Sequence, residues 1–367
     1  MKIGKLGETL RKHLSHCIAN TIHLPFLIIG PPGIGKTEIA QWAVKEAGHD
    51  IFEIELDKPP EWLEKLAESR GSPVGLAMSH PVCRQDVDYA GHPTIDPNTG
   101  EAEHKPYGEL RQWLTATKPL VVFLDDLGQA SKSVQAALMQ VVRERTINGF
   151  RISPFVHFIL ATNGAADKAG VSGILRPLLT RCASVVVEAD PEALVGWLKD
   201  NHSDTPEVAG FVDRRPEYVT GEKLAPEQIA GKIGAGYPTP RTITMCCDFI
   251  RIGYDHDTLR AIVSSTVGEG FSAEFCGWVR VWKQAVSYDM VIADPSGARL
   301  PGEVSAKYAQ VTMLAYHSKR KALDKVVQYV DRIGGDFVSY FWNLVERTRK
   351  DLMETRSYID YRNSQSF

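Results

Sequence analysis

The strongest constraint on this chain is the run Gly30-Pro31-Pro32-Gly33-Ile34-Gly35-Lys36-Thr37, which fits the pattern G-x-x-x-x-G-K-[ST]. It follows the apolar tetrad Phe26-Leu27-Ile28-Ile29, of the kind found in strands buried on both faces. After it, Ile39, Ala40, Ala43 and Val44 recur at helical spacing. A glycine-rich turn between such a strand and helix lets backbone N–H groups curl around phosphates, and the helix N-terminus adds its positive dipole end. Lys36 supplies a cation and Thr37 a hydroxyl suited to Mg²⁺. Residues Gly30, Pro31, Pro32, Gly33, Ile34, Gly35, Lys36 and Thr37 are therefore read as a phosphate site.

The rest of the first half alternates strands and helices. Ile51 to Leu56 alternates as a second strand, Leu120 to Leu124 is a further buried strand, Ser131 to Arg145 a helix, and Val156 to Ala161 another strand. Asn148-Gly149 marks a tight hairpin turn. Such alternation predicts an α/β fold with a parallel sheet sandwiched by helices over residues 1–190. Residues 58–117 read as an insertion rich in Pro, Gly and His, with helical patterning only near Trp62–Glu68 and Tyr107–Thr115 and an exposed loop over Gly91–Lys105. Beyond 190, apart from a polar linker around 201–238, helical periodicity dominates, as in Leu323, Val326, Val327 and Val330 or Phe337, Phe341 and Leu344. Residues 191–265 and 266–367 are expected to be two α-helical regions.

A phosphate loop needs a carboxylate to hold the metal's water shell. Asp125-Asp126 follows Leu120–Leu124, at the strand end where α/β sheets place ligands. Asp125 would serve Mg²⁺ together with Thr37, and Asp126 is the candidate base or water-orienting group. Asn163, after Val156–Ala161, would stand as a neutral amide beside the γ-phosphate and the attacking water; a turn-forming Asn before Gly164 is the plainer reading of it alone. A nucleotide with a γ-phosphate and Mg²⁺ are the implied cofactors.

Composition narrows the class. Lys plus Arg is 42, Asp plus Glu is 45, the net charge is −3, and 43% of residues are hydrophobic. These values exclude extended disorder and a strongly basic nucleic-acid coat. The apolar runs fall short of the ~20 residues a membrane span needs. Residues 1–17 lack a secretory signal, so a cytoplasmic protein is expected. The six cysteines form no C-x-x-C pair, so neither a disulfide framework nor a zinc ribbon is indicated.

In this order, GPPGIGKT, VVFLDD at 121–126, ATNG at 161–164, LLTRC around Arg181 and TPRT around Arg241 resemble the Walker A, Walker B, sensor 1, arginine-finger and sensor 2 motifs of AAA+ ATPases. The segment QASKSVQAALMQVVRERTINGFRI at 129–152 and the PTPRT motif are most similar to the MoxR-like branch. The resemblance is strong over about 24–57 and 118–250. It implies that Arg181 reaches the γ-phosphate of a neighbouring subunit, with Arg176 its rival five residues earlier, and that Arg241 lies on a helical lid over 191–265. It also implies a ring, of six protomers by family analogy, acting as a remodelling chaperone on a protein client, with a von Willebrand type A domain protein as the implied partner. One departure stands out: the family's Walker B ends Asp-Glu, whereas Asp126 is one methylene shorter, and a misplacement of ~1 Å can cost on the order of 10²-fold in rate.

Two other functions stay in play. A DNA-linked AAA+ loader or helicase accessory factor is not indicated, since no helix-turn-helix signature or basic stripe is visible. A nucleotide-gated binding module would follow if Asp126 left hydrolysis negligible. Among weaker signals, His80, Cys83, His92 and His104 offer a zinc set of no standard spacing, with loop histidines the preferred reading. His13, His16 and Cys17 share a helical face, read as packing beside the nucleotide site. Tyr89 and Tyr107 are candidate pore-loop aromatics, with packing the commoner role.

Overall fold

A computed structural model describes residues 1–54, 74–95, 97–164, 173–222 and 236–364. The chain divides into two compact units, Met1–Ala189 and Asp190–Phe367.

Among the described residues, the first unit has nine strands: β1 (Phe26–Ile29), β2 (Gly75–Ser79), β3 (His92–Ile95), β4 (Ala102–Lys105), β5 (Leu120–Leu124), β6 (Thr146–Ile147), β7 (Phe150–Arg151), β8 (Val156–Thr162) and β9 (Ala183–Val186). Five of them form a parallel sheet in the order β2-β5-β8-β1-β9. Alternate residues of each strand face opposite layers. Phe26 and Ile28, Val121 and Phe123, and Ile159 and Ala161 pack with helices α1 (Ile3–Ala19) and α2 (Lys36–Ile54). Leu27, Val122, Leu124, Phe158 and Leu160 face Trp113, Val134, Leu138, Val141 and Leu178 on the other side. With both faces covered, the strands read as continuous apolar runs, which is why they were legible in the sequence.

Two expectations fail here. Residues 51–54 continue α2 instead of starting a strand, because the apolar positions 40, 43, 47, 51 and 54 also fit the helical period; residues 55 and 56 lie outside the described residues. Among the described residues, the strand that follows β1 in sequence is Gly75–Ser79, which belongs to the sheet, so the segment 58–117 is not wholly an insertion. What projects from the sheet within it is the antiparallel ribbon β3–β4, where an exposed loop was expected. The helix expected over Trp62–Glu68 lies outside the described residues. The Asn148-Gly149 turn does join β6 to β7, with φ of 42° and 87°, as a two-residue hairpin of the primed type requires.

The helix expected over 131–145 is α-helical only over Lys132–Met139, with Ser131 capping its N-terminus; Gln140–Glu144 forms a π-helical turn. It ends at Arg145, whose positive φ redirects the chain. The Arg145 guanidinium then donates to Val156 O at 2.8 Å and Ser153 O at 2.5 Å, tying the hairpin to the start of β8.

The second unit is helical. One hydrophobic core gathers Val311, Leu314, Val326, Tyr329, Phe341, Trp342 and Leu344. The segment expected as a polar linker contributes the helix Pro206–Arg214, with Val208, Ala209, Phe211 and Val212 buried. Phe211 meets Phe271, Phe275 and Tyr218 with ring centroids 5.0 to 6.1 Å apart. No described helix is long and apolar enough to cross a membrane.

At the edge of the sheet where β1 and β8 begin, His157 is buried, its ring 5.5 Å from that of His23, and His13 Nε2 lies 2.9 Å from Leu24 O. His13 of α1 therefore packs at the end of the sheet opposite the phosphate loop, not beside it, while His16 stands exposed. Burial, with His23, Arg145 and His13 nearby, pulls the His157 pKa down to about 3. The unfolded chain protonates this imidazole near pH 6.5 and the folded chain does not, so the unfolded state binds more protons and stability is lost as the pH falls from 6.5 toward 3. One such proton gives a slope of up to about 1.4 kcal/mol per pH unit. In urea titrations at pH 7, 5.5 and 4, His157→Phe is expected to lose less stability on acidification than the wild type; equal losses would show that other groups carry the effect.

Candidate nucleotide site

Parallel pairing brings the C-terminal ends of β1, β5 and β8 to one edge. Ile29 is in register with Thr162 and Leu124 with Leu160, so the residues that follow β1, β5 and β8 emerge together. Gly30 N donates to Thr162 O at 3.1 Å and Val187 N to Ile29 O at 2.7 Å, which seats the start of the loop between two strands. A Cβ at Gly30 would lie 2.5 Å from Val187 Cγ2, so the approach itself demands glycine. Gly33 and Gly35, at φ 72° and 103°, turn the loop into α2.

Lys36 is buried, and its ammonium donates to Gly30 O at 2.8 Å, Pro31 O at 2.9 Å and Asn163 Oδ1 at 2.9 Å. Thr37 Oγ1 donates to Asp125 Oδ2 at 2.9 Å, and Asp126 N to Asp125 Oδ1 at 2.9 Å. Lys36, Thr37, Asp125 and Asn163 thus meet in one place, although they are separated by up to 127 residues. Neutral loop oxygens occupy the ammonium in a way phosphate oxygens can replace. A hydroxyl and a carboxylate in mutual contact are hard oxygen donors, the pair that suits Mg²⁺ when phosphates and water complete its shell.

Asp126 adopts the left-handed conformation, φ 53° and ψ 32°, at the start of the turn Leu127–Gln129. Among non-glycine residues, Asp and Asn tolerate this region best. The shorter acid therefore suits the backbone that carries it.

The arginines are placed differently. Arg176 stands exposed at the first position of the short helix Arg176–Leu179, and half-buried Arg181 donates through Nη1 to Pro177 O at 2.9 Å. Arg241 belongs to the second unit, in the first turn of Pro240–Ile252. Thr239 and Thr242 form a reciprocal capping box there, Thr242 N donating to Thr239 Oγ1 at 3.1 Å and Thr239 N to Thr242 Oγ1 at 2.8 Å. A cation in a first turn opposes the helix dipole by about 0.3–1 kcal/mol, which an anion nearby would reverse.

One cluster beside the site was not foreseen. Asp125 N donates to Ser79 O at 3.0 Å, and Ser79 Oγ donates to Glu109 Oε1 at 2.9 Å and contacts the Tyr89 hydroxyl at 2.8 Å. Burial raises the Glu109 pKa and takes that of Tyr89 up to about 12. Tyr89 is thus a packing residue, 1% exposed, and not a pore aromatic; Tyr107 is exposed and donates to Asp88 at 2.5 Å. The signal for Ser79 was faint, a polar residue closing the run Val74 to Met78 inside a segment read as insertion. Among the described residues, no three His, Cys, Asp or Glu side chains gather as a metal site, His80, Cys83, His92 and His104 included.

Residues 26–187 match the family model for AAA, the ATPase family associated with various cellular activities. Solved structures similar to the chain include a mutant RuvB from Thermotoga maritima, 14% identical over 79% of this chain and 79% of that one, with a TM-score of 0.40. Another is the replication initiator DnaA bound to AMPPCP and single-stranded DNA, 15% identical over 99% of this chain and 93% of that one, with a TM-score of 0.35. No curated protein matches the sequence. Residues 26–187 accordingly have the P-loop fold of the AAA family model that they match, on a five-stranded parallel sheet.

Proposed function

We propose that this chain is a Mg²⁺- and ATP-dependent ATPase that works as a ring, a remodelling chaperone of the MoxR-like type acting on a protein partner. The observation that carries the ATPase reading is the convergence of Lys36, Thr37, Asp125 and Asn163 at one edge of the sheet. The chaperone reading leans on the segment 129–152, whose helix and β6–β7 hairpin precede β8. A six-membered ring and a von Willebrand type A domain partner belong to the same reading.

In this mechanism the backbone N–H groups of the loop and the N-terminus of α2 bind the β- and γ-phosphates, and Lys36 leaves its carbonyl partners to join them. Thr37 and Asp125 would hold Mg²⁺, which neutralises charge on the phosphate oxygens. Water attacks the γ-phosphorus, its proton passes to Asp126, and the bond to ADP breaks. The amide of Asn163 orients that water, while Arg241 is the candidate contact from the second unit. Arg181 is the residue proposed to enter a neighbour's site. An arginine supplied in trans is worth ~10³–10⁵ in rate, which makes turnover conditional on assembly.

ATP turnover per protomer is expected to rise with protein concentration in the wild type and to fall by at least about 10³-fold in Arg181→Ala with nucleotide binding retained. A concentration-independent rate, or an unaffected variant, would refute the trans role. Removing the proton acceptor with Asp126→Asn should reduce turnover by about 10²–10⁴-fold while leaving ATP affinity and thermal stability close to wild type, since Asn also accepts the left-handed backbone. Unchanged turnover would exclude Asp126 as the base.

A further inference from the structure

Within the second unit, the C-terminal ends of the helices Val304–His317 and Gly335–Thr348 and one side of Pro191–Asn201 line a cleft of about 770 Å³. That volume is typical of small-molecule sites, ~300–1,000 Å³. The helix ends are held by cations: Lys199 Nζ donates to Thr348 O at 3.1 Å, and Arg349 Nη1 donates to Tyr316 O at 3.0 Å. Lys319 and Lys350 also line the cleft.

The charges are unevenly matched. Arg347 is bonded to Asp213, Arg349 pairs with Asp351, and Glu346 is engaged by Tyr358 and Arg362. Lys199, Lys319 and Lys350 make no ion pair among the described residues. The remaining acids, Glu192 and Asp200, stand exposed on Pro191–Asn201. Lys199 also sits 4.2 Å from the centroid of the Tyr316 ring, and burial, together with Arg349, pulls its pKa down to about 8. An oxyanion beside it would reverse that cost.

Among the described residues, two further atoms lack a hydrogen-bond partner. The hydroxyl of Tyr316 and Asp213 Oδ2 are buried without a hydrogen bond, although both residues line the cleft. Buried polar atoms of this kind call for a partner, which a water or a ligand's polar group can supply. A carboxylate oxygen asks for a donor, so a bare anion would leave it unsatisfied, whereas a hydroxylated ligand would not.

We propose that this cleft binds a small phosphate ester bearing hydroxyl groups, its phosphate seated on Lys199, Lys319 and Lys350 and its hydroxyls turned to Tyr316 and Asp213. The site is made wholly of second-unit residues and is independent of the proposed ATPase chemistry. Its occupancy gives the second unit a way to sense a phosphorylated small molecule that the phosphate loop does not hold.

Ribose 5-phosphate is a suitable probe, with ribose and inorganic phosphate as controls, in calorimetric titrations of the full-length chain. Binding of ribose 5-phosphate is expected to be unaffected by Lys36→Ala and weakened about 10–100-fold by Lys199→Met, the loss of one charge-assisted contact. Because Lys199→Met also removes a helix-end contact, a second readout uses the wild type. Acetylation of Lys199 by acetic anhydride, followed by mass spectrometry, should be slowed by ribose 5-phosphate and not by ribose. Absence of binding, inorganic phosphate binding as tightly as the ester, loss of binding in Lys36→Ala with retention in Lys199→Met, or no protection of Lys199 would each overturn the proposal.

Discussion

The site rests on the parallel pairing of β1 with β8. That register sets Gly30 against Thr162 and brings Asn163 to the ammonium of Lys36, so a lysine on the first turn of α2 and an amide 127 residues later share one hydrogen bond. Had the pairing been antiparallel, the two strand ends would lie at opposite edges and no common phosphate site could form. The close seating of Gly30 on Val187 adds the third strand, β9, to the same arrangement.

Around this centre the supporting contacts run from buried to exposed. Thr37 and Asp125 hold one another, and Asp125 is in turn anchored through its backbone to β2. Ser79, Glu109 and Tyr89 extend that anchor into the segment carrying the β3–β4 ribbon. Asn148 Nδ2, at the β6–β7 turn, donates to Ala90 O at 2.5 Å, so the hairpin before β8 is tied to the same segment. Asp126 completes the edge in a left-handed conformation that a longer, more flexible acid fits less readily, a local reason for Asp where the AAA+ pattern has Glu.

Much of this was legible because parallel strands covered on both faces must be apolar throughout. Phe26–Ile29, Leu120–Leu124 and Val156–Ala161 announce themselves for that reason. Gly75–Ser79 did not, since its Gly and Ala carry little hydrophobic signal, and Ile51–Ile54 misled because its spacing serves both periods. The helix Pro206–Arg214 was hidden by charged flanks, although its Val208, Phe211 and Val212 are core. Tyr89 could be assigned to packing only once its neighbours Ser79 and Trp113 were known, the latter ring 6.0 Å away.

The sequence by itself determined that a phosphate loop joins a buried strand to a helix, and that acids and an amide follow two later strands. These are local patterns, set by side-chain chemistry and periodicity within a few residues. Only the tertiary structure decided the strand order, and with it that Lys36 meets Asn163, that Ser79 backs Asp125, and that Lys199 lines a cleft. Those facts depend on contacts between residues far apart in the chain, formed when apolar faces are buried together, and no local pattern records them.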